Sequence, residues 1–210
     1  MRIARDSTAA ADIPAVGCDL ILGYIDGSFA WSDEDWALFP GKTLVRICVF
    51  SDRLDAQVLD IEEGNNDAAG AVPWVAAKWA RGETPTVYCY TDRGPVGYRI
   101  SDVRAACVLA GVREPLFIVA NYDNIPVIPE GCIGKQYANP TYTGGHYDES
   151  VVADHWPGVD LMPDCVTREE FEAYQRDVRE TIKAMKRQYD PIAEKFPKHS
   201  HDTSVPKPQL

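Results

Sequence analysis

The chain has 210 residues, which is enough for one sizeable domain with an appendage. Hydrophobic residues make up 45% of it and charged residues 25%, an ordinary balance for a soluble globular protein. The formal net charge of −11 disfavours a nucleic-acid binder, because phosphate recognition needs a basic surface, and it also argues against adsorption to anionic membranes.

The N-terminal residues 1–17 are expected to form an extension ahead of the folded domain. They contain no apolar stretch of signal-peptide length. No run in the chain approaches the roughly 18 apolar residues of a membrane-spanning helix. We therefore expect a soluble protein made in the cytoplasm, with neither nucleic acid nor a membrane as partner.

Six short apolar runs predict β-strands. They are rich in Val, Ile, Leu and Tyr and are bounded by Gly, Pro, Asp or Asn. In chain order the runs are residues 18–27, 43–50, 56–62, 84–91, 114–123 and 131–138.

Helix-like segments lie between several of these strands, at residues 32–39, 67–82 and 99–112. In the last of them Ser101 is the N-cap candidate and Gly111 the stop. Strands that alternate with helices indicate parallel β/α units. No GxGxxG or P-loop follows the first predicted strand, which disfavours a nucleotide-binding doubly wound sheet. The prediction is an α/β fold, a TIM-type (β/α) barrel of shortened or irregular form over residues 18–165.

The pattern changes after the predicted barrel. Residues 166–190 predict one long helix, opened by a capping box of Thr167 and Glu170. Its narrow apolar stripe suits either packing on the barrel or docking to a second copy or a partner. Residues 191–210 are a polar tail that contains several prolines.

Neither a disulfide framework nor a metal site is predicted. The six cysteines stand singly, without a CxxC, and are expected to be buried free thiols. His146 belongs to a Gly-rich loop, while His199 and His201 belong to the tail, so three converging metal ligands are not expected. The prediction is a protein without a cofactor.

Carboxylates stand at the ends of the predicted strands, where a β/α barrel carries its functional groups. Asp26 ends the first predicted strand, and Asp60 and Glu62 end the third. Strand alternation puts Asp60 and Glu62 on one face, which helix capping does not require. Asp92 and Asp123 end later strands, and loop or cap hydrogen bonds are the simpler interpretation of these two. Paired carboxylates of unlike pKa are what glycoside hydrolysis needs.

Three motifs in order, YIDG (24–27), VLDIE (58–62) and KQYANPTYTGGHYDESVV (135–152), resemble the family 25 glycoside hydrolases. These are muramidases that cleave peptidoglycan, and related glycoside-hydrolase-like barrels occur in actinobacteria and their phages. The family has an Asp at the end of its first strand, a D-x-E on a central strand, and a Q-Y run before a Gly-rich loop and another Asp. The resemblance covers about residues 18–160.

The resemblance implies roles for individual residues. Glu62 would be the general acid, and Asp60 would position it or the substrate. Asp26 and Asp148 would complete the catalytic site by lining the sugar subsite. The substrate-binding candidates are Tyr24, Tyr88, Tyr90, Asn121, Tyr122, Gln136 and Tyr137. Core packing is an equally good interpretation of each tyrosine except Tyr24.

The resemblance also implies the function. We expect a peptidoglycan-directed glycoside hydrolase, lysozyme-like or muramidase-like, of phage or actinobacterial origin. The alternative is a non-catalytic barrel that binds carbohydrate or serves as structure in a larger assembly such as a virion, held as a homo-oligomer or by a virion partner through residues 167–190. Without a signal peptide, such a protein would reach the cell wall within a virion or on lysis.

Overall fold

The computed structural model describes residues 1–160. The predicted helix at 166–190, the docking surface at 167–190 and the tail at 191–210 lie outside the described residues. The same holds for the last residues of the predicted barrel segment, 161–165.

Eight strands close into a barrel in chain order. They are β1 (Arg2–Asp6), β2 (Leu20–Tyr24), β3 (Thr43–Cys48), β4 (Val58–Asp60), β5 (Thr86–Tyr90), β6 (Leu116–Ala120), β7 (Gly134–Ala138) and β8 (Asp148–Val152). Neighbours from β1 to β7 are parallel, while β8 is antiparallel to both β7 and β1. The fold is a mixed α/β closed barrel, and six of its strands, β2 to β7, match the predicted apolar runs.

The first and last strands, β1 and β8, were not predicted. Residues 1–17 are therefore not an extension outside the barrel, because β1 is part of the closed sheet. Charged residues interrupt the apolar pattern of β1, and they are paired across the structure. Arg2 forms an ion pair with Asp160, and Arg5 forms one with Glu149 on β8. Arg5 and Glu149 lie on the outer face, while Asp6 and Asp148 lie on the inner face at one end of the barrel, so no apolar run marks either strand.

Four short helices connect the strands: α1 (Asp33–Trp36), α2 (Ala68–Ala80), α3 (Ile100–Ala110) and α4 (Pro140–Thr143). The first three confirm the predicted segments. Gly111 ends α3 with a φ of 65°, as predicted. Ser101 is not the cap of α3. It lies inside the helix, and its backbone N–H donates to Asp92. No helix within residues 1–160 is both long and apolar enough to cross a membrane.

Strand alternation sends buried side chains to two places. One cluster fills the inside of the barrel: Ala4, Leu20, Leu22, Val45, Ile47, Val58, Tyr88, Ile118, Val152 and Trp156. A second cluster lies between the sheet and the two longer helices and includes Leu59, Ile61, Trp74 and Val103. The predicted division of β4, with Val58 on one face and Leu59 on the other, is confirmed.

The inner cluster closes one end of the barrel. Trp156 is fully buried, and its indole Nε1 donates to the hydroxyl of Thr86, the first residue of β5, at 2.9 Å. The opposite end, where the parallel strands terminate, is where the polar side chains collect.

The cysteines in the described part of the chain are free thiols, as predicted. They are Cys18, Cys48, Cys89, Cys107 and Cys132, of which the first four are buried.

Candidate functional site

A pocket opens at the carboxyl ends of the parallel strands. Four carboxylates line it: Asp6, Asp60, Glu62 and Asp148. Four tyrosines and one amide line it as well: Tyr24, Tyr88, Tyr90, Tyr122 and Gln136. The enclosed space is about 90 Å³, room for a few water molecules.

Most of these groups lie at the ends of strands. Asp6, Tyr24, Asp60 and Tyr90 are the last residues of β1, β2, β4 and β5. Asp148 is the first residue of β8, and because β8 is antiparallel its first residue lies at the same end of the barrel. On β2 and β4 the inward face is apolar until the final residue, Tyr24 or Asp60, whose polar group lies at the mouth.

Asp60 and Glu62 occupy unlike environments in this pocket. Asp60 is 8% exposed, and its Oδ2 accepts a hydrogen bond from the hydroxyl of Tyr24 at 3.2 Å. Burial raises the pKa of Asp60 to about 7, and the charge of Glu62 adds to the rise, while the Tyr24 hydrogen bond opposes it. Glu62 is half-buried and accepts a hydrogen bond from the side chain of Asn65 at 2.8 Å. Asp60 therefore keeps its proton to a much higher pH than an ordinary aspartate, beside a second carboxyl group that reaches solvent.

Gln136 forms hydrogen bonds with both of the other carboxylates, Asp6 and Asp148. Its amide nitrogen donates to the two oxygens of Asp6 at 3.2 and 3.1 Å and to Oδ2 of Asp148 at 3.1 Å. The hydroxyl of Tyr122 donates to its Oε1 at 2.6 Å, which fixes the amide with its nitrogen toward the acids. Burial, then the charge of Asp148, raises the pKa of Asp6 well above its ordinary value, and burial raises the pKa of Asp148 to about 6.

Most of the predicted site residues therefore meet in one pocket. The structure brings together Glu62, Asp60, Asp148, Tyr24, Tyr88, Tyr90, Tyr122 and Gln136. Tyr88 also belongs to the inner core, so both interpretations of that side chain apply.

Asp26 does not line the pocket, contrary to the prediction. Strand β2 ends at Tyr24, and the inward alternation ends with it. The carboxylate of Asp26 turns to the neighbouring loop instead, where it accepts hydrogen bonds from the backbone N–H groups of Val49 at 2.7 Å and Phe50 at 3.3 Å. Its role in the fold is to hold the segment that follows β3.

Asn121 and Tyr137 also lie outside the pocket lining. The side chain of Asn121 donates to Asp123 at 2.8 Å, and Asp123 is ion-paired with Lys135. Tyr137 follows the inward Gln136 on β7, so alternation turns it to the outer face, where its hydroxyl donates to Glu149. The loop and cap interpretation of Asp92 and Asp123 is confirmed.

Asp6 is the site residue that the sequence analysis missed. It is 4% exposed and ends the first strand of the barrel, the position that the resemblance assigned to Asp26. One sequence feature could have indicated it: Ala4 and Asp6 are two residues apart, so in a strand they face the same side. Two arginines in the same five residues concealed it.

No group of three His, Cys, Asp or Glu side chains within residues 1–160 is arranged to hold a metal ion. His146 is exposed on the loop before β8. Comparison of the chain with protein-family models, with curated proteins and with solved structures gave no match. The function is therefore argued from the chemistry of the pocket.

Proposed function

We propose that the protein is a peptidoglycan-directed glycoside hydrolase of the muramidase type, with Asp60 and Glu62 as its reacting pair. The observation that carries the proposal is the unlike environment of two carboxyl groups on one strand face, one buried with a pKa of about 7 and one half-exposed at the mouth. Glycoside hydrolysis needs one protonated and one ionised carboxyl beside the scissile bond.

Asp60 and Glu62 together hold the proton that cleavage of the glycosidic bond requires. Glu62 reaches the mouth, so in this proposal it takes up the proton that Asp60 holds and passes it to the leaving glycosidic oxygen as the carbon–oxygen bond breaks, which leaves Asp60 ionised beside the sugar. Water then adds to the sugar carbon, and its proton returns to the pair. Asp60, below it and hydrogen-bonded by Tyr24, stores a proton up to about pH 7 and orients the substituent of the sugar that enters the pocket.

The tyrosines support a carbohydrate substrate. Tyr90 and Tyr122 line the mouth and are only partly buried, so each leaves ring surface on which a sugar can stack. The Gln136 network adds fixed polar groups that can hydrogen-bond to hydroxyl groups. The choice of peptidoglycan, and of phage or actinobacterial origin, rests on the motif resemblance.

The barrel is proposed to be a shortened, irregular member of the TIM-type (β/α) class. Parallel pairing from β1 to β7 and a pocket at the carboxyl ends of the strands support this. The antiparallel β8 and the small number of helices are its irregular features.

A non-catalytic carbohydrate-binding barrel is the second candidate. The observation in its favour is the Asp6–Gln136–Asp148 network, in which one side-chain amide ties two of the four pocket carboxyl groups into the fold. Such a module would bind the same polymer with its barrel. Residues 167–190 would attach it to a larger assembly, such as a virion.

The test is dye release from labelled actinobacterial peptidoglycan between pH 5 and 7, with a pelleting assay for binding to the same polymer. We expect Glu62→Gln to lower release by about a hundredfold or more, because it removes the proton donor. Glu63→Gln is the matched control, since Glu63 is adjacent, exposed and outside the pocket lining. Binding by the wild type without release would support the second candidate and contradict the first.

A further inference from the structure

The Asp6 and Asp148 end of the pocket has too few hydrogen-bond donors for its acceptors. The nitrogen of Gln136 carries two hydrogens and serves three carboxylate oxygens at 3.1 to 3.2 Å. Oδ1 of Asp148 is buried and has no hydrogen-bond partner among residues 1–160. A buried carboxylate oxygen without a donor is costly, so this end of the pocket favours a ligand that brings N–H or O–H groups.

Tyr88 gives an independent indication of a polar ligand. It is 4% exposed, lies in register with Asp60 on the neighbouring strand and lines the pocket. Its hydroxyl has no hydrogen-bond partner of good geometry within the described part of the chain, although the buried hydroxyl of Ser150 lies close enough to lower the pKa of Tyr88. Buried tyrosine hydroxyls usually find a partner, and this one can accept a hydrogen bond as well as donate one.

The charge of the lining indicates what kind of donor fits. Four carboxylates line the pocket, and no Lys, Arg or His from residues 1–160 lines it with them. The nearby Lys135 is on the outer face of β7, where Asp123 neutralises it. A donor that also carries positive charge would complement the pocket better than a neutral hydroxyl group.

We propose that the Asp6, Gln136 and Asp148 end of the pocket binds the ammonium group of an amino sugar whose amine is not acetylated. The inference rests on the proposed function for the sugar, whereas the positive charge is argued from the lining alone. An ammonium group supplies three donors, which match Oδ1 of Asp148, an oxygen of Asp6 and the hydroxyl of Tyr88. An N-acetyl group supplies one donor and no charge, so it fits this end less well.

The dependence on pH follows from the carboxyl groups. Asp6 and Asp148 face the ammonium, and Asp60 and Glu62 lie in the same pocket. Burial and the charge of Asp148 raise the pKa of Asp6 well above its ordinary value, so Asp148 carries most of the charge at this end. Protonation of Asp148, whose pKa is about 6, removes part of the attraction in acid. Affinity for the ammonium form of the amine therefore rises from pH 5 to pH 7, whereas affinity for a neutral acetylated sugar changes little. High salt weakens the former more than the latter.

The experiment is calorimetric titration of the full-length chain with the glucosamine tetramer and, separately, with the N-acetylglucosamine tetramer. At pH 7 we expect the glucosamine tetramer to bind about tenfold more tightly, the scale of one charge-assisted contact, and the ratio to shrink at pH 5. Asp148→Asn should remove most of that preference, measured as the ratio of the two affinities in the same variant. Asp6→Asn serves as the second variant, and thermal melts establish that each variant folds.

Glu63→Gln separates a specific site from general attraction to an acidic protein. A loss of glucosamine affinity in Glu63→Gln equal to that in Asp148→Asn would overturn the inference, and so would equal affinities of the wild type for the two tetramers. The proposed function has a separate readout. Dye release without a preference for the amine defeats only this inference, whereas the amine preference without dye release defeats only the proposed hydrolase.

Discussion

The hydroxyl of Tyr24 lies 3.2 Å from Oδ2 of Asp60, the carboxyl group that burial and the charge of Glu62 hold at a pKa of about 7. The donor ends β2 and the acceptor ends β4, so the contact spans β3 inside the mouth of the barrel. A hydrogen bond to a carboxylate favours its ionised form. Tyr24 therefore limits how far the pKa of Asp60 rises.

Removal of that donor is expected to raise the pKa of Asp60 further. In Tyr24→Phe the carboxylate loses its hydrogen bond while the ring stays, so we expect the midpoint of Asp60 titration to move above about 7 by up to one pH unit. Carboxyl carbon chemical shifts followed by NMR from pH 4 to pH 9 measure it directly. Tyr142→Phe is the control, because Tyr142 is exposed on α4 and outside the pocket lining. A midpoint that stays or falls would show that the hydrogen bond does not stabilise the ionised form.

Asp60 is expected to make stability fall as pH rises. Its folded pKa of about 7 is above the ordinary value of 3.8, so the folded state binds the proton more tightly than the unfolded chain. This contribution to the free energy of unfolding is complete below about pH 4 and is lost as pH rises toward 7. Asp60→Asn stays neutral throughout and should be more stable than the wild type at pH 8, by at most about 4 kcal/mol. The two should converge at pH 4.

Urea unfolding at pH 4, 6 and 8 measures the difference. Glu63→Gln makes the same change of charge at an exposed position and should alter the free energy of unfolding by less than about 0.5 kcal/mol at each pH. A stability difference between Asp60→Asn and the wild type that does not change with pH would mean that the ionised carboxylate is not the source of the instability.

Asp26 is expected to behave as a structural residue, not as a site residue. Its carboxylate accepts two backbone hydrogen bonds from the segment after β3. Asp26→Ala leaves those N–H groups without their acceptor and should lower the free energy of unfolding by about 1–3 kcal/mol. The affinity of the folded fraction for the N-acetylglucosamine tetramer should not change. Unchanged stability with a lost affinity would restore Asp26 to the sugar subsite that the motif resemblance assigned to it.

The parts of the fold that could be predicted are those encoded locally. Six strands carry their own apolar runs, and the shared face of Asp60 and Glu62 follows from alternation within a single segment. The outer faces of β1 and β8 are covered by partners far away in sequence. Arg5 and Glu149, for example, are 144 residues apart. Such pairs replace the apolar signal with charge, and nothing within either segment reveals the partner.

The misplaced site residues have a related cause. A sequence pattern does not show where the inward alternation of a strand stops, and β2 stops at Tyr24, two residues before Asp26. On β7 the neighbours Gln136 and Tyr137 must face opposite ways, and only the closed barrel determines which one faces inward. The motif resemblance named both residues of this segment as binding candidates and could not distinguish the inward one from the outward one. Asp6 was missed because its strand was missed.

Trp156 is expected to carry a large share of barrel stability because it closes the end opposite the pocket. It is fully buried in the inner cluster and donates from Nε1 to the hydroxyl of Thr86 at 2.9 Å. Trp156→Ala would leave a cavity at the base of the barrel and should cost about 3–5 kcal/mol of unfolding free energy. Trp156→Phe keeps most of the volume and loses the hydrogen bond, so we expect it to cost less, about 1–3 kcal/mol.

Trp79 provides the comparison, because its Nε1 also donates one hydrogen bond, in this case to the backbone oxygen of Arg113 at 3.0 Å, but its side chain is only half-buried outside the barrel. Trp79→Phe should cost less than Trp156→Phe in the same urea titration, since water can replace the lost partner. Equal costs would mean that closure of the barrel by Trp156 adds nothing beyond one hydrogen bond. Because Trp156 lies at the far end from Asp60, the pKa of Asp60 in folded Trp156→Phe should stay at about 7. A shift would mean that packing at the closed end sets the geometry at the open one.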